Sequence, residues 1–427
     1  MSKHAKKSDH LQIVESPKAL VEVPLPLLGA LTSTRNAFFE LCVDAGRQVL
    51  DAMMEQDREW LCGPLWKRDP ERVAGRAGTT QSAVTLGGRR VRVDRPRVRN
   101  REGQEVVLPS FAFASSCDAL EDRTLDAIAC GVSTRKYRRS LERLPEDVEE
   151  RSVSKSAVSR RFVALSQKQM ITWLTAPLGD RVFPIVMIDG IVLGDHTILI
   201  ALGIDTDGKK QILGLREGAT ENSRVAKALL RDLIDRGLPQ EQARLFVIDG
   251  AKAIRTAIRK IFGNLGVVQR CQLHKQRNVL GHLPEHLHAS VKAVLAEAWA
   301  INDAAVAQRR LERLASSLEA DHPGAAGSVR EGLGETLTLQ RLGVTGALYR
   351  KLRSTNAIEN LNSGIATYTR NVKRWRGGSM VVRWVSAAIQ EVEKKFRRVQ
   401  GYRDIEKLKK VLEEIEAQDE AAAKRVA

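Results

Sequence analysis

Two apolar segments of the chain end on the same tripeptide, Ile188-Asp189-Gly190 and Ile248-Asp249-Gly250. The residues that lead into them, Phe183–Ile188 and Leu245–Ile248, are β-branched or otherwise apolar, which predicts two buried strands. Each strand would carry its aspartate to an open end, where the glycine allows a sharp turn. Asp-Gly is also a common turn dipeptide, so a single copy would carry little weight. Two copies on two buried strands predict a pair of acids at the edge of a sheet.

The residues between the two tripeptides predict how the strands are connected. Thr197–Asp205 and Gln211–Leu215 have strand character around an Asp-Gly turn, which predicts an antiparallel meander with the first strand. A helix is predicted over Ser223–Arg236, where leucines recur at helical spacing. A helical crossover makes the next strand parallel to an earlier one. If that neighbour is the first strand, the two aspartates lie side by side.

A helix over Ala251–Phe262 and a fifth short strand over Val267–Cys271 complete this pattern. Three antiparallel strands followed by alternating helix and strand is the order of the ribonuclease H-like fold. We therefore predict an α/β protein with a ribonuclease H-like, mixed five-stranded core.

A third acid is predicted at Glu359, on a helix that opens near Asn356. Its apolar side would hold Ile358, Leu361 and Ile365, and its polar side would hold Thr355, Glu359 and Asn362. Asn356 followed three residues later by glutamate is also a capping pattern, so the local sequence is equally compatible with a capping role. About 110 residues separate Asp249 from Glu359, which is too long for a loop in a compact domain. A folded insertion there, mostly helix-forming over Ala289–Leu318, favours Glu359 as the third acid.

The three carboxylates of Asp189, Asp249 and Glu359 suit a particular chemistry. Carboxylates are hard oxygen ligands that match Mg²⁺ or Mn²⁺. Two such ions, roughly 3.5–4 Å apart, can activate an attacking oxygen and stabilise a leaving oxygen in phosphodiester cleavage. We therefore predict that these residues are both catalytic and metal-binding, with two Mg²⁺ or Mn²⁺ ions per active site.

The order of the segments IDG, VIDGAKAI, QRCQLHKQRN and STNAIENLNS resembles the mutator-type transposases of bacterial insertion sequences, relatives of the plant Mutator transposases. The resemblance covers roughly residues 80–390. It implies a DDE triad at Asp189, Asp249 and Glu359, an all-α insertion, and metal-dependent cleavage and transfer of DNA strands. It also implies that a Cys-x-x-His signature, matched by Cys271 and His274, lies near the active site.

The net charge of +17 and the isoelectric point near 9.9 favour a polyanionic partner. We expect double-stranded DNA, both transposon ends and target, bound by a homodimer or a larger assembly. Membranes are also polyanionic, but no apolar run reaches 18 residues. The polar start, Met1–His10, lacks a signal-peptide core, so we expect a cytoplasmic, nucleoid-associated protein.

Five cysteines without a Cys-x-x-Cys pair argue against a disulfide framework. Cys271 and His274, joined by His282 and His286, have the residue types of a zinc site but lack a second close cysteine pair. The alternative is that Cys271 packs at the end of the fifth strand, while His274 faces the acids or caps the next helix.

A DNA-reading domain is predicted upstream of the core. Leu120–Cys130 and Ser133–Leu144 have the spacing of a helix-turn-helix, and Ser154–Leu165 predicts a third helix with serines and cations in its first turns. The candidate DNA contacts are Arg135, Lys136, Arg138, Arg139, Lys155, Arg160 and Arg161. The alternative is an ordinary helical bundle with solvated charges.

Three other segments have two interpretations each. Val84–Arg99 predicts a hairpin whose arginines either lie on phosphates or keep a sheet edge soluble. Arg370–Arg376 is either a DNA-clamping loop or a solvated basic surface, and its candidate contacts are Arg374, Trp375 and Arg376. Trp299 either stacks on a displaced base or belongs to the core of the insertion.

These predictions divide the chain into six parts: a helical and β-hairpin DNA-binding or accessory region (1–115), the helix-turn-helix domain (116–178), the first part of the catalytic core (179–281), the all-α insertion (282–350), the final core helix with its basic segment (351–395) and a C-terminal helix (396–427). Two functional hypotheses follow, an active DDE transposase or a transposase-derived DNA-binding repressor that does not cleave. A stand-alone ribonuclease H-like nuclease is disfavoured by the helix-turn-helix and the insertion.

Overall fold

The structure is a computed structural model that describes residues 35–67, 72–86, 89–116, 128, 132, 134–137, 154–218 and 222–426. The chain falls into two compact units, and the division lies between Phe162 and Val163. No helix among the described residues is long and apolar enough to cross a membrane.

The first unit contains a helix packed on a small antiparallel sheet. Its elements are α1 (Arg35–Cys62), β1 (Ala74–Leu86), β2 (Arg89–Asn100), β3 (Glu105–Val106) and α2 (Pro109–Ser116). The sheet has the order β1-β2-β3. The predicted hairpin is confirmed, although both strands are longer than expected, and its turn at 87–88 lies outside the described residues. Valines of the hairpin are buried against Leu50 and Met54 of α1.

The predicted helix-turn-helix lies mostly outside the described residues. Within it, the structure describes Ile128, Val132 and a turn at 134–137. The third predicted helix is confirmed as α3 (Lys155–Thr175), which crosses the division between the units. The Ser154 hydroxyl accepts a hydrogen bond from the Ala157 amide at 3.3 Å, which satisfies one free N–H of the first turn.

The second unit is built on a five-stranded mixed sheet. Its sheet elements and their connecting helices are β4 (Ile185–Leu193), β5 (His196–Ile204), β6 (Lys210–Gly218), α4 (Ser223–Asp235), β7 (Arg244–Ile248), α5 (Lys252–Phe262) and β8 (Gly266–Arg270). The strand order is β6-β5-β4-β7-β8. The first three strands are antiparallel, and β4, β7 and β8 run parallel, with Ile188 beside Ile248. The predicted neighbour of the second aspartate strand is therefore confirmed.

Helices cover both faces of this sheet because successive strand residues point to opposite sides. Val186 and Ile188 face a cluster formed with α4 and α5. Ile185 and Met187 face a second cluster formed with α13 (Asn356–Thr369), α14 (Gly378–Glu393) and α15 (Ile405–Val426). The sheet is therefore the middle of three layers, with helices packed on each of its faces.

A helical region separates β8 from α13, as the length of the interval predicted. Its helices are α6 (Gln272–Leu280), α7 (Glu285–Ala300), α8 (Ala304–Leu318), α9 (Pro323–Arg330), α10 (Leu333–Thr336), α11 (Thr338–Arg341) and α12 (Gly346–Leu352). Leu339 of α11 and Leu348 of α12 belong to the cluster on the sheet, whereas helices α6 to α10 enclose an apolar core of their own. Trp299 is 5% exposed and directs its indole N–H to the Thr336 hydroxyl at 3.4 Å, so it belongs to this core and does not offer a stacking surface.

Candidate active site

The second tripeptide lies at a true strand end. β7 stops at Ile248, and Gly250 has a φ of 109°, a conformation that favours glycine. A Cβ atom at Gly250 would also overlap the Arg270 guanidinium, which packs beneath it. The Asp249 carboxylate accepts a hydrogen bond from the Ala251 amide at 2.8 Å, which closes the turn. Sequence and packing together therefore fix the position of Asp249.

The first tripeptide does not end its strand, and the sharp turn predicted at Gly190 is wrong. β4 continues to Leu193, and Asp189 and Gly190 still pair with β5. The physical reason is that β5 extends further along β4 than β7 does, so the backbone of β4 keeps hydrogen-bonding partners on one side. The turn comes at Gly194, where φ is 61°. Asp189 nevertheless lies where β4 extends beyond β7, next to the end that carries Asp249.

Glu359 lies in the first turn of α13, whose buried residues Ile358, Leu361 and Ile365 confirm the predicted apolar side. The capping role considered for Asn356 is wrong, because the N-cap is Thr355 and none of the described side chains caps the helix. The Thr355 hydroxyl instead donates to Glu359 Oε1 at 2.9 Å. This bond holds the carboxylate on the side of the helix that faces away from the core.

Asp189 lies beside the other two acids, because Ile188 pairs with Ile248 and Asn362 of the Glu359 helix contacts its carboxylate. Burial, reinforced by repulsion from the Asp249 carboxylate and more weakly from Glu359, raises the pKa of Asp189 to about 6. The Asn362 amide, one turn after Glu359 on the same polar side, donates to Asp189 Oδ2 at 2.9 Å. Asn362 therefore ties the helix of the third acid to the strand of the first acid.

Cys271 lies between the second and third acids. Its amide donates to the carbonyl of Ile248 at 2.7 Å, at the end of β7. Its Sγ accepts from the amide of Thr355 at 3.4 Å, at the start of α13, and from the amide of His274 at 3.5 Å. This fully buried thiol, which is also the N-cap of α6, joins the strand that precedes Asp249 to the helix that carries Glu359.

His274 adds a basic group beside Glu359. Its Nδ1 lies 3.8 Å from Glu359 Oε1 and 3.3 Å from the Thr355 hydroxyl. Its pKa is raised, first by the hydrogen bond with Cys271 and then by the nearby carboxylates. Burial works to raise the pKa of Cys271, but the hydrogen bonds with His274 and Thr355 outweigh it and lower that pKa. His274 therefore lies beside Glu359, as predicted.

The donor groups present suit a divalent cation. Burial and then the neighbouring carboxylates raise the pKa of Asp189, and a cation between the acids would relieve the repulsion among them. The buried Oδ1 of Asn362 has no hydrogen-bond partner among the described residues, which leaves one more oxygen at the site. One group of three possible ligands in the described part of the chain lies within 4.8 Å, namely Cys271, His274 and Glu359. The two aspartates are not in that group, nor are His282 and His286 of the zinc hypothesis.

The candidate DNA contacts occupy varied settings. Lys155 and Arg160 on α3 are exposed and Arg161 is half-buried. Arg135 and Lys136 are exposed in the turn at 134–137, whereas Arg138 and Arg139 lie outside the described residues.

The basic segment after α13 has its cations on the surface. Arg374 and Arg376 are exposed, and Trp375 is half-buried against Gly194, in the turn that follows β4. The packing of the indole on this turn fixes where the two arginines project.

Sequence reasoning missed Arg270, which is 4% exposed and supports both Gly250 and Gly332. Its position in a predicted strand gave no indication of this packing, since the partner glycines are distant along the chain.

The fold is that of an α/β protein with a mixed sheet, in which Asp189 lies within β4, Asp249 follows the end of β7, and Glu359 lies on a later helix. A sequence model described as "Transposase, Mutator family" matches residues 30–399, and the chain belongs to that family. Among its relatives, the transposase of insertion sequence element IS256 in transposon Tn4001 from Staphylococcus aureus is 25% identical over 355 residues, which cover 81% of this chain and 88% of the relative. The transposase of element ISRM5 from Rhizobium meliloti is 27% identical over 383 residues, covering 89% and 93%. The transposase of element IS406 from Burkholderia multivorans is 30% identical over 275 residues, covering 62% and 68%.

Proposed function

We propose that the protein is a DDE transposase of an insertion sequence, which binds terminal inverted repeats and catalyses metal-dependent cleavage and transfer of DNA strands. The observation that carries the proposal is that the pairing of Ile188 with Ile248 sets Asp189 beside Asp249, while Asn362 joins the helix of Glu359 to Asp189. The strand order β6-β5-β4-β7-β8, with its antiparallel and parallel pairs, supports a ribonuclease H-like core. The relatives named as insertion-sequence transposases support the same conclusion.

The three acids would hold two Mg²⁺ or Mn²⁺ ions. When bound, such ions supply positive charge to the attacking and leaving oxygens of a phosphodiester. The chain's own contribution is to fix the ligands: Asn362 orients Asp189, the turn at Gly250 orients Asp249, and Thr355 orients Glu359. Positioned ligands of this kind matter because a small misplacement is costly to the rate.

DNA binding is proposed for the basic residues on α3 and for the segment after α13. Arg160 and Arg161 follow the serine-rich start of α3, where side chains can reach base edges or phosphates. Replacing both with alanine should weaken binding to the element's own ends, by about 1–3 kcal/mol for each arginine that reads a base. Footprinting measures this, and unchanged protection of the terminal repeats would assign the reading of DNA to another region.

The experiment that tests the proposal is cleavage and joining of oligonucleotides that carry the terminal repeats, in Mg²⁺ and in Mn²⁺. Asp189→Asn, Asp249→Asn and Glu359→Gln should each abolish both reactions and leave end binding largely intact, because these changes remove metal ligands and leave the DNA-binding residues in place. Asp207→Asn is the matched control, since this aspartate is exposed in the β5–β6 turn. Joining by the Asp189→Asn variant in Mg²⁺ would contradict the assignment. A wild-type protein that binds the ends but cleaves in neither metal would favour the repressor hypothesis.

A further inference from the structure

An open cavity of about 520 Å³ lies between α13, α14 and β6, within the size range of small-ligand sites. It is lined by residues of α13, by Lys210 of β6, and by Lys395 and Phe396 just after α14. Several of these residues belong to α13, the helix of Glu359, but to the side turned away from that carboxylate. The candidate active site does not use this cavity.

A lysine ammonium group lies over each of two aromatic rings in the cavity. The Lys210 ammonium lies 4.9 Å from the centre of the Phe396 ring. The Lys395 ammonium lies 5.3 Å from the centre of the Tyr368 ring and donates to the Tyr368 hydroxyl at 2.9 Å. With Arg370, every charged residue that lines the cavity is basic. Aromatic surface interleaved with cations is the combination that holds bases and phosphates.

Lys210 shows that this positive charge is poorly compensated. Burial, followed by repulsion from Lys351, holds the pKa of Lys210 below its ordinary value. The nearby Glu393 carboxylate accepts a hydrogen bond from the Ile212 amide, and burial raises its own pKa. An anion bound in the cavity would therefore compensate the charge of Lys210.

The shape of the cavity is set by a glycine. Gly364 lines it where a Cβ atom would overlap Val392, so α13 and α14 approach closely at its floor. Asn360 adds an amide that can both donate to and accept from the edge of a base. A flat ring near the aromatic side chains and a phosphate at the basic rim would match the groups that line the cavity.

We propose that this cavity binds one unpaired nucleotide of the DNA substrate, with the base among Tyr368, Phe396 and Asn360 and the phosphate at Lys210, Arg370 and Lys395. The inference rests on the proposed function and adds a nucleotide site to it. The cavity and Glu359 lie on opposite sides of one helix, whose diameter is about 10–12 Å. At about 3.4 Å per nucleotide along a strand, the nucleotide lies within roughly four positions of the cleaved phosphodiester. Such a nucleotide must leave the base stack to enter the cavity.

The test uses terminal-repeat DNA with 2-aminopurine placed in turn at each of the four positions on either side of the cleaved bond. Wild-type protein should increase the fluorescence at one position by several-fold, because the base leaves the stack. The double variant Lys210→Ala, Lys395→Ala should lose this increase even at protein concentrations that saturate the DNA. Lys394→Ala is the matched control, since this neighbouring lysine pairs with Glu391 and does not line the cavity.

A second variant guards against misfolding. Thr367 is an exposed lining residue whose hydroxyl donates to the Ser363 carbonyl of its own helix, so Thr367→Phe should fill the cavity without disturbing the core. It too should abolish the fluorescence increase. An increase that persists in both variants, or no increase at any position with wild-type protein that cleaves the same DNA, would overturn the nucleotide site and leave the proposed function standing. Failure of wild-type protein to cleave this DNA would count against the proposed function itself.

Discussion

The two Ile-Asp-Gly tripeptides are identical in sequence and different in structure. The second one ends β7, with Gly250 in a left-handed conformation over Arg270. The first one continues through β4, where Asp189 and Gly190 pair with β5. The difference shows that the neighbouring strand, and not the tripeptide, decides whether the backbone turns.

The electrostatic settings of the two aspartates differ for the same reason. Asp249 is at a free strand end and accepts the amide of Ala251. Asp189 is held inside a strand, where burial and the Asp249 carboxylate raise its pKa to about 6. The turn that follows Asp249 thus stabilises it through a hydrogen bond, whereas an ionised Asp189 lowers the stability of the folded state.

The largest expected effect separates the two glycines. Gly250→Ala combines a strained backbone with overlap on Arg270, so it should lower the free energy of unfolding by about 2–4 kcal/mol. Gly190 does not have a left-handed conformation, so Gly190→Ala should change the free energy of unfolding by less than about 1 kcal/mol. Urea denaturation of both variants measures the comparison, and equal losses would show that the two glycines do not differ in what their conformations require.

The next effect separates the two aspartates in metal-free protein. The folded state holds the proton of Asp189 up to a pKa of about 6, above the ordinary value of 3.8, so the stability attached to this group is lost as the pH rises from about 4 to about 6. Asp189→Asn should therefore stabilise the protein at pH 7 by about 1–3 kcal/mol and have little effect at pH 4. At pH 4, where Asp189 is protonated and the repulsion is absent, Asp249→Ala should instead destabilise the protein by about 1 kcal/mol because the Ala251 amide loses its acceptor. Chemical denaturation in a chelator at both pH values measures the signs, and a destabilising Asp189→Asn would break the comparison.

The last effect, which is no larger than that of Asp189→Asn, concerns Cys271, which connects the end of β7 to α13. Cys271→Ala removes an acceptor from the buried amide of Thr355 and should cost about 1–3 kcal/mol, whereas Cys271→Ser keeps an acceptor and should cost less. The alanine variant should also cleave DNA more slowly at saturating metal, because Glu359 is less well placed relative to Asp249. Cleavage rates and denaturation of both variants test this, and a rate unaffected by alanine would remove Cys271 as a positioning residue.

Much of this site could be predicted because its determinants are local. Strand and helix periodicity, with turn residues between, predicted the neighbouring strands of Asp189 and Asp249 and the polar side of α13 that holds Thr355 and Asn362. Interactions between distant segments could not be predicted in this way. The extension of β4 depends on the length of β5, and the requirement for Gly250 depends on Arg270. The cavity beside Tyr368 exists only because α13, α14 and β6 pack together.

The central claim is that Asp189, Asp249 and Glu359 form one metal site, although the two aspartates lie in different parts of their strands. Iron-directed cleavage of the polypeptide tests this claim most directly. Fe²⁺ in place of Mg²⁺, with ascorbate and peroxide, generates radicals that cut the chain beside the bound ion. Wild-type protein should be cut near Asp189, Asp249 and Glu359, and excess Mg²⁺ should suppress these cuts. The double variant Asp189→Asn, Asp249→Asn should lose them. Unchanged fragments in that variant would place the metal elsewhere, for example at Cys271 and His274, and would contradict the account.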